Sequence, residues 1–267
     1  MNTRVRAMYI LLAITALVAL LLSLLTHQPT QPAFAGAAEP TRFVYLPQVF
    51  KNGRQDTVEF QPLFSETPVL KGLAAQETHL FPIVFDYSGT ITITAVAEPT
   101  MDIVLEIVDN SNSVLHTADS GGAGALEAFF NTQLNPSLDY KIQIYERNGI
   151  AGNYCLIFNE EGGFPDQIKG RIEFGQTVIE QLAVLGIDYW CFLGTAGDNV
   201  TISATPTTSG SDLAIGLFGP PDFTAIGTVF ASPEMTNVDL SADGFYLIGV
   251  LDFEAGAADY SLQLTKN

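Results

Sequence analysis

Asp139-Tyr140-Lys141-Ile142-Gln143-Ile144-Tyr145, a turn containing Gly149, and then Gly152-Asn153-Tyr154-Cys155-Leu156-Ile157-Phe158 form the stretch whose reading decides the fold. Apolar and polar residues alternate in the first run, and the second is a short apolar run bounded by turn residues; both patterns read as strand rather than helix. About a hundred residues later the chain repeats the arrangement. Gly244-Phe245-Tyr246-Leu247-Ile248-Gly249-Val250 is followed by a turn with Gly256 and by Ala258-Asp259-Tyr260-Ser261-Leu262-Gln263-Leu264. Each copy reads as a β-hairpin, and the second copy closes the sequence.

Working outward, the segment before the first copy holds further short apolar runs, at 78–85, 90–96, 103–108 and 125–130. Turn residues separate them: Ser88-Gly89, Glu98-Pro99-Thr100, Asp109-Asn110-Ser111-Asn112, Ser120-Gly121-Gly122 and Asn135-Pro136. No stretch sustains the 3.6-residue period of a long helix. The segment before the second copy carries matching runs. Phe81-Pro82-Ile83-Val84-Phe85 falls on Tyr189-Trp190-Cys191-Phe192-Leu193, Ser88-Gly89-Thr90-Ile91 on Ala196-Gly197-Asp198-Asn199-Val200 with one insertion, and Asp102-Ile103-Val104-Leu105 on Asp212-Leu213-Ala214-Ile215. The offsets are about 108 from Gly89 to Gly197, about 110 from Asp102 to Asp212 and about 106 from Tyr154 to Tyr260. A near-constant offset of this length means tandem domains rather than a solenoid. About eight short strands per unit is the rhythm of a β-sandwich.

The expected organisation is therefore all-β. Residues 1–35 are an export segment, 36–56 a linker with a short apolar stretch, 57–158 and 168–267 two jelly-roll-like antiparallel β-sandwiches, and 159–167 the polar, Gly- and acid-rich linker between them. Arg4 and Arg6 precede an apolar run from Met8 to Leu25, and Ala33-Phe34-Ala35 supplies the small residues of a cleavage site. The run of about 18 residues is also long enough for an uncleaved anchor. Either way the charge before it predicts that the rest of the chain is exported, to the extracellular space or cell surface. Tyr45-Leu46-Pro47-Gln48-Val49-Phe50-Lys51 looks like a stretch that follows the signal peptide in many secreted bacterial proteins.

Charge narrows the functional classes. The chain has 11 basic and 29 acidic residues, net −18. Arg4 and Arg6 lie in the export segment, so the remainder, with nine basic against 29 acidic residues, is near −20. Such a surface repels phosphate backbones and anionic membranes, which argues against nucleic acid as a partner and confines membrane contact to an uncleaved N-terminal segment.

Catalytic patterns are missing. There is no H-E-x-x-H and no G-x-S-x-G. His79 and His116 stand alone, and His116 near Asp119 and Ser120 has the spacing of a loop, not a triad. The expectation is a protein that is not an enzyme and needs no cofactor. Ca²⁺ is the one metal with candidate ligands. Asp109-Asn110-Ser111-Asn112-Ser113 presents oxygens at alternate positions as Ca²⁺ loops do, and Asp102 and Asp212 open equivalent strands. A hairpin turn explains the first group, and turn capping explains the pair.

Cys155 and Cys191 are too few for a disulfide-built fold. Their flanking residues, Tyr154 and Leu156, Trp190 and Phe192, point into the two sandwiches, so strand alternation turns both thiols outward. In an exported chain that suits a disulfide between the two domains; two unpaired thiols too far apart to bridge is the alternative.

The second repeat resembles the bacterial pre-peptidase C-terminal (PPC) domain. The resemblance rests on Asp188-Tyr189-Trp190-Cys191-Phe192, Ala196-Gly197-Asp198-Asn199-Val200-Thr201-Ile202, Ser211-Asp212-Leu213-Ala214-Ile215, Gly244-Phe245-Tyr246 and Ala258-Asp259-Tyr260-Ser261-Leu262, with Gly175-Gln176 at its opening. The first repeat keeps Gly89, Asp102, Tyr140 and Tyr154, but Pro82 interrupts the first motif and no Asp opens it. The resemblance implies a jelly-roll-like sandwich of the kind attached to secreted proteases and other exoenzymes. Some relatives bind collagen or polysaccharide and some bind Ca²⁺. No catalytic domain accompanies the repeats. The function expected is an exported non-catalytic binding or accessory protein whose partner is an extracellular polymer or protein; the alternative is a structural spacer of the envelope with no ligand. An exposed aromatic patch separates the two, with Phe129, Phe130, Phe223 and Phe230 as candidates.

Overall fold

The computed structural model describes residues 56–86, 88–220, 224–230, 234–252 and 256–267. Residues 1–35, where an export segment is expected, the Tyr45–Lys51 stretch, Phe223 and the side chain of Phe230 lie outside the described residues. The N-terminal half carries β1 (Asp56–Glu59), β2 (Val69–Leu73), β3 (Glu77–Pro82), β4 (Thr90–Ala97), β5 (Ile103–Asp109), β6 (Val114–Ala118), β7 (Leu126–Gln133), β8 (Tyr140–Glu146) and β9 (Gly152–Glu160). The C-terminal half carries β10 (Gln167–Arg171), β11 (Thr177–Leu182), β12 (Asp188–Gly194), β13 (Asn199–Pro206), β14 (Leu213–Gly219), β15 (Thr224–Phe230), β16 (Glu234–Asp239), β17 (Gly244–Asp252) and β18 (Ala258–Lys266).

Each half is a two-sheet sandwich. The first pairs the sheet β1-β3-β8-β5-β6 with β2-β9-β4-β7, and the second pairs β10-β12-β17-β14-β15 with β11-β18-β13-β16. Adding nine to each strand number of the first half gives the second. Among the described strands all pairings are antiparallel except β1 with β3 and β10 with β12. That exception follows from the path: β2 and β11 each cross to the opposite sheet, so the strands before and after them run the same way.

The deciding stretch is not a hairpin. β8 pairs with β3 and β5, whereas β9 pairs with β2 and β4 in the other sheet. The two strands face each other across the core, where Tyr140, Ile142 and Ile144 meet Tyr154, Leu156 and Phe158. Alternation identifies a strand and its buried face but not its hydrogen-bonded neighbour. The corner between them is held by the buried Glu146 carboxylate, which accepts from Ile150 N at 2.6 Å and from Asp102 N at 3.1 Å. β17 and β18 repeat the arrangement, with Asp252 accepting from Asp212 N at 3.0 Å.

Three apolar cores result. One fills the first sandwich and one the second. The third lies between them, where Leu70, Val96 and Ile157 of the β2-β9-β4-β7 sheet pack on Ile168, Tyr189 and Leu247 of the β10-β12-β17-β14-β15 sheet. Ile168 N donates to Thr94 Oγ1 across this seam at 2.9 Å. The four sheets thus stack as successive layers, with the third core between the two middle sheets.

The register corrects the sequence alignment by one residue. Phe81 pairs with Ile142 and Trp190 with Ile248, with Tyr140 and Tyr246 two positions earlier in each partner strand. Phe81 therefore stands where Trp190 does, not Tyr189. His79 occupies the position of Asp188, the acid that the first repeat lacks.

Candidate functional site

The sequence-predicted residues are scattered. Asp109 Oδ1 accepts from Ser111 N, Ser111 Oγ and Ser113 N at 2.8 to 2.9 Å, which closes the β5–β6 turn. These bonds, led by the Ser113 amide, hold its carboxyl below the usual value. Asp102 and Asp212 receive caps through their backbone amides rather than supplying them. The Asp102 carboxylate pairs with Arg147, which also binds Asp119. Ser120 turns to Glu127, and His116 lies edge-on to Phe129, so the local His, Asp and Ser are not assembled. Among the described residues no three His, Cys, Asp or Glu side chains are grouped to hold a metal ion. Cys155 and Cys191 lie in the core between the sandwiches, joined as a disulfide with Cα atoms 7.0 Å apart.

A buried polar pair that the sequence reading misses recurs in both sandwiches. Tyr260 O–H donates to Asp188 Oδ2 at 2.8 Å while its oxygen accepts from Trp190 Nε1 at 2.9 Å. At the matching place Tyr154 Oη lies 2.7 Å from His79 Nδ1, whose Nε2 faces Glu77 at 3.0 Å. Burial pushes Asp188 up to about 6 against the opposing Lys169 charge, lowers His79 against Glu77, and raises both tyrosines. These pairs fix the two sheets of each sandwich to one another. Tyr260→Phe leaves Asp188 and Trp190 short of partners and is expected to destabilise the chain by about 3 kcal/mol, read by urea denaturation. Tyr154→Phe, which orphans only a neutral imidazole nitrogen, is expected to lose about 1 to 2 kcal/mol.

A groove of about 360 Å³ opens to solvent along the seam at the end of β9. β9 alternates faces: Tyr154, Leu156 and Phe158 enter the first core, so Cys155, Ile157 and Asn159 point toward the second sandwich. Asn159 is only 6% exposed, and its Oδ1 has no hydrogen-bond partner. The 161–166 connection passes beside it and is pinned where Glu66 Oε1 accepts from Phe164 N at 2.6 Å. Asp166 Oδ1 accepts from Ile187 N at 2.8 Å, and burial pushes its carboxyl up to about 7 with Glu66 and Asp188 adding to the effect.

Two aromatic side chains line this groove, Phe130 from β7 at 58% exposure and Phe164 from the connection at 50%. Of the aromatic candidates in the sequence, Phe129 is instead buried in the first core. Phe164 was not among them; a lone aromatic in a Gly- and acid-rich linker was the available signal.

The fold is all-β, two stacked β-sandwich units of like strand order. Neither known protein families nor curated protein sequences match the chain. Among solved structures it is similar to the PliG periplasmic inhibitor of g-type lysozyme from Aeromonas hydrophila, at 20% identity over 38% of this chain and 99% of that one, TM-score 0.33. It is also similar to the pre-peptidase C-terminal domain of a Bacillus anthracis collagenase, at 15% identity over 38% of this chain and 97% of that one, TM-score 0.32. A longer similarity, to the PBSX exported protein XepA, covers 76% of this chain and 87% of that one at 11% identity, TM-score 0.28.

Proposed function

We propose that the chain is an exported, non-catalytic binding or accessory protein built from two PPC-like sandwiches, and that it engages an extracellular polymer or protein through the seam groove. The observation that carries this reading is the pair Phe130 and Phe164, half exposed or more in one polar groove. Large aromatics left in contact with water are what a ligand surface needs and a spacer does not. The charged n-region and apolar run at the N-terminus support export, and a Cys155–Cys191 bridge suits an oxidising compartment. The matching strand order of the two halves supports a tandem origin for the PPC resemblance.

The spacer reading draws on one observation of its own. The buried third core and the disulfide make the two sandwiches a single stiff block.

The test is co-sedimentation of the purified chain with collagen, chitin, cellulose and peptidoglycan, each with Ca²⁺ and with chelator. Saturable retention on one polymer, abolished in the Phe130→Ala, Phe164→Ala double variant, is expected. No retention, or retention indifferent to the double variant, sinks the groove as the contact site. Loss in chelator would bring Asp102, Asp109 and Asp212 back as metal ligands.

A further inference from the structure

The chemistry of the groove selects among ligand classes, given that the groove is a binding site as read above. Its walls contain three carboxylates, those of Glu160, Glu161 and Asp166, and no Lys, Arg or His. Glu160 is occupied within the fold, accepting from Asp86 N and Gly89 N. The nearby Lys169 is engaged with Glu180 and Asp188 at 3.7 Å. Several local donors are also committed, Thr90 O–H to Gln133, Phe164 N–H to Glu66 and Gly163 N–H to Glu160 O, while the Asn131 and Gln167 side-chain amides stay open to either a donor or an acceptor. Three features then remain to be met by a ligand. They are the Glu161 carboxylate and the buried Asp166 carboxyl, with no cationic side chain lining the groove beside them, the unpartnered Asn159 Oδ1 at nine-tenths burial, and two aromatic faces.

An uncharged glycan would use the aromatic faces and the amides but would bury Asp166 further without a counter-ion, which is costly. A phosphate or carboxylate ligand is repelled. A planar cation meets all three features at once: it stacks on an aromatic ring, carries several N–H donors in a fixed fork, and neutralises carboxylates. A volume of about 360 Å³ is at the low end of ligand pockets, the room of a side chain or two. The net charge of −18 would steer a basic partner toward the chain.

We propose that the seam groove binds the guanidinium group of an arginine side chain in a basic polypeptide segment, with Phe130 and Phe164 as its stacking surface and Asn159 Oδ1, Glu161 and Asp166 as its acceptors. The burial-raised Asp166 carboxyl fits this role, because a cation placed beside it removes the penalty of its charge.

The experiment titrates the full chain by calorimetry in 0.15 M salt with an acetylated, amidated tri-arginine peptide and with its tri-citrulline counterpart, which has the same shape and no charge. The arginine peptide is expected to bind at least tenfold more tightly. Asn159→Ala, which leaves the net charge unchanged, is expected to weaken it roughly threefold to tenfold. Phe130→Ala with Phe164→Ala is expected to weaken it at least tenfold, and the remote, exposed Glu234→Gln not at all; melting curves confirm that each variant is folded. Equal affinity for the two peptides overturns the proposal. So does an arginine preference that survives all groove substitutions, since that is diffuse attraction to an acidic surface. Displacement by triacetylchitotriose without any arginine preference overturns it in favour of a glycan. Polymer retention without arginine binding removes this inference alone, whereas failure of both experiments removes the binding reading as well.

Discussion

Removing the Cys155–Cys191 bridge is expected to lower the melting temperature by roughly 10 °C. The bond closes a loop with a sequence separation of 36 residues. Chain-entropy reasoning assigns such a loop about 4 kcal/mol of stability, and for a chain of this size each kcal/mol moves the midpoint by roughly 2 to 4 °C. The variant to use is Cys155→Ala with Cys191→Ala, because alanine adds no polar atom to the apolar core between the two sandwiches. Scanning calorimetry of the variant and of the oxidised chain is the measurement. The oxidised chain is expected to melt in one transition, since the third core couples the sandwiches. Both cysteines are fully buried, so reductant reaches the bridge only when the seam opens, and reduction without denaturant is expected to be slow. An unchanged midpoint in the double-alanine variant would show that the bridge contributes nothing to the folded block.

Strand positions were legible because one-sided burial writes itself as alternation: β8 runs buried and half-buried in strict turn from Tyr140 to Glu146. What alternation omits is the identity of the neighbouring strand. Hence β8 and β9, adjacent in sequence and alike in pattern, read as a hairpin although they belong to opposite sheets. The alignment of the halves slipped at β3 because the buried acid of β12 is replaced there by His79, whose partnership with Tyr154 matches that of Asp188 with Tyr260 in position but not in residue type. Glu146 and Asp252 were missed for a related reason: beyond the Glu146 contact with Ile150 N, their carboxylates cap backbone amides about 40 residues earlier, a relation with no local signature. In the candidate site, Phe129 and Phe130 had to face opposite sides of their strand, but only the packed sheet shows which one is left outside. Asn159 and Phe164 fall in the stretch read as linker, where periodicity carries no information. Their meaning comes from the stacking of the sandwiches, which no feature of either repeat announces.

The second large effect concerns pH. Asp166 is 4% exposed, and burial raises its carboxyl to about 7, with the charges of Glu66 and Asp188 pushing the same way. Burial raises Tyr189, packed close by, and the charges of Asp166 and Glu66 add to the effect. Between the unfolded value of 3.8 and about 7 the folded chain therefore binds more protons than the unfolded chain, so stability falls as pH rises through this window. Three units correspond to about 4 kcal/mol as an upper bound. Asp188, raised to about 6, adds a slope of the same sign below that value, while His79, lowered by burial, opposes both once the pH falls below 6.5. Asp166→Asn keeps the Oδ1 acceptor for Ile187 N and deletes the titration. It is expected to raise stability at pH 8 by about 2 to 4 kcal/mol, to raise it less than half as much at pH 5, and to flatten the slope between, as read by urea denaturation at several pH values. Arginine-peptide binding to the unmodified chain is expected to weaken as the pH falls from 8 to 5.5, because a protonated Asp166 no longer attracts the cation and binding must then release a proton. No gain in stability for Asp166→Asn at pH 8 would mean that the carboxyl is already neutralised within the fold. A gain accompanied by loss of arginine binding would mean that the chain keeps a costly buried carboxylate at the seam for the sake of a ligand, the exchange of stability for function expected where a charged group is held ready in a binding site.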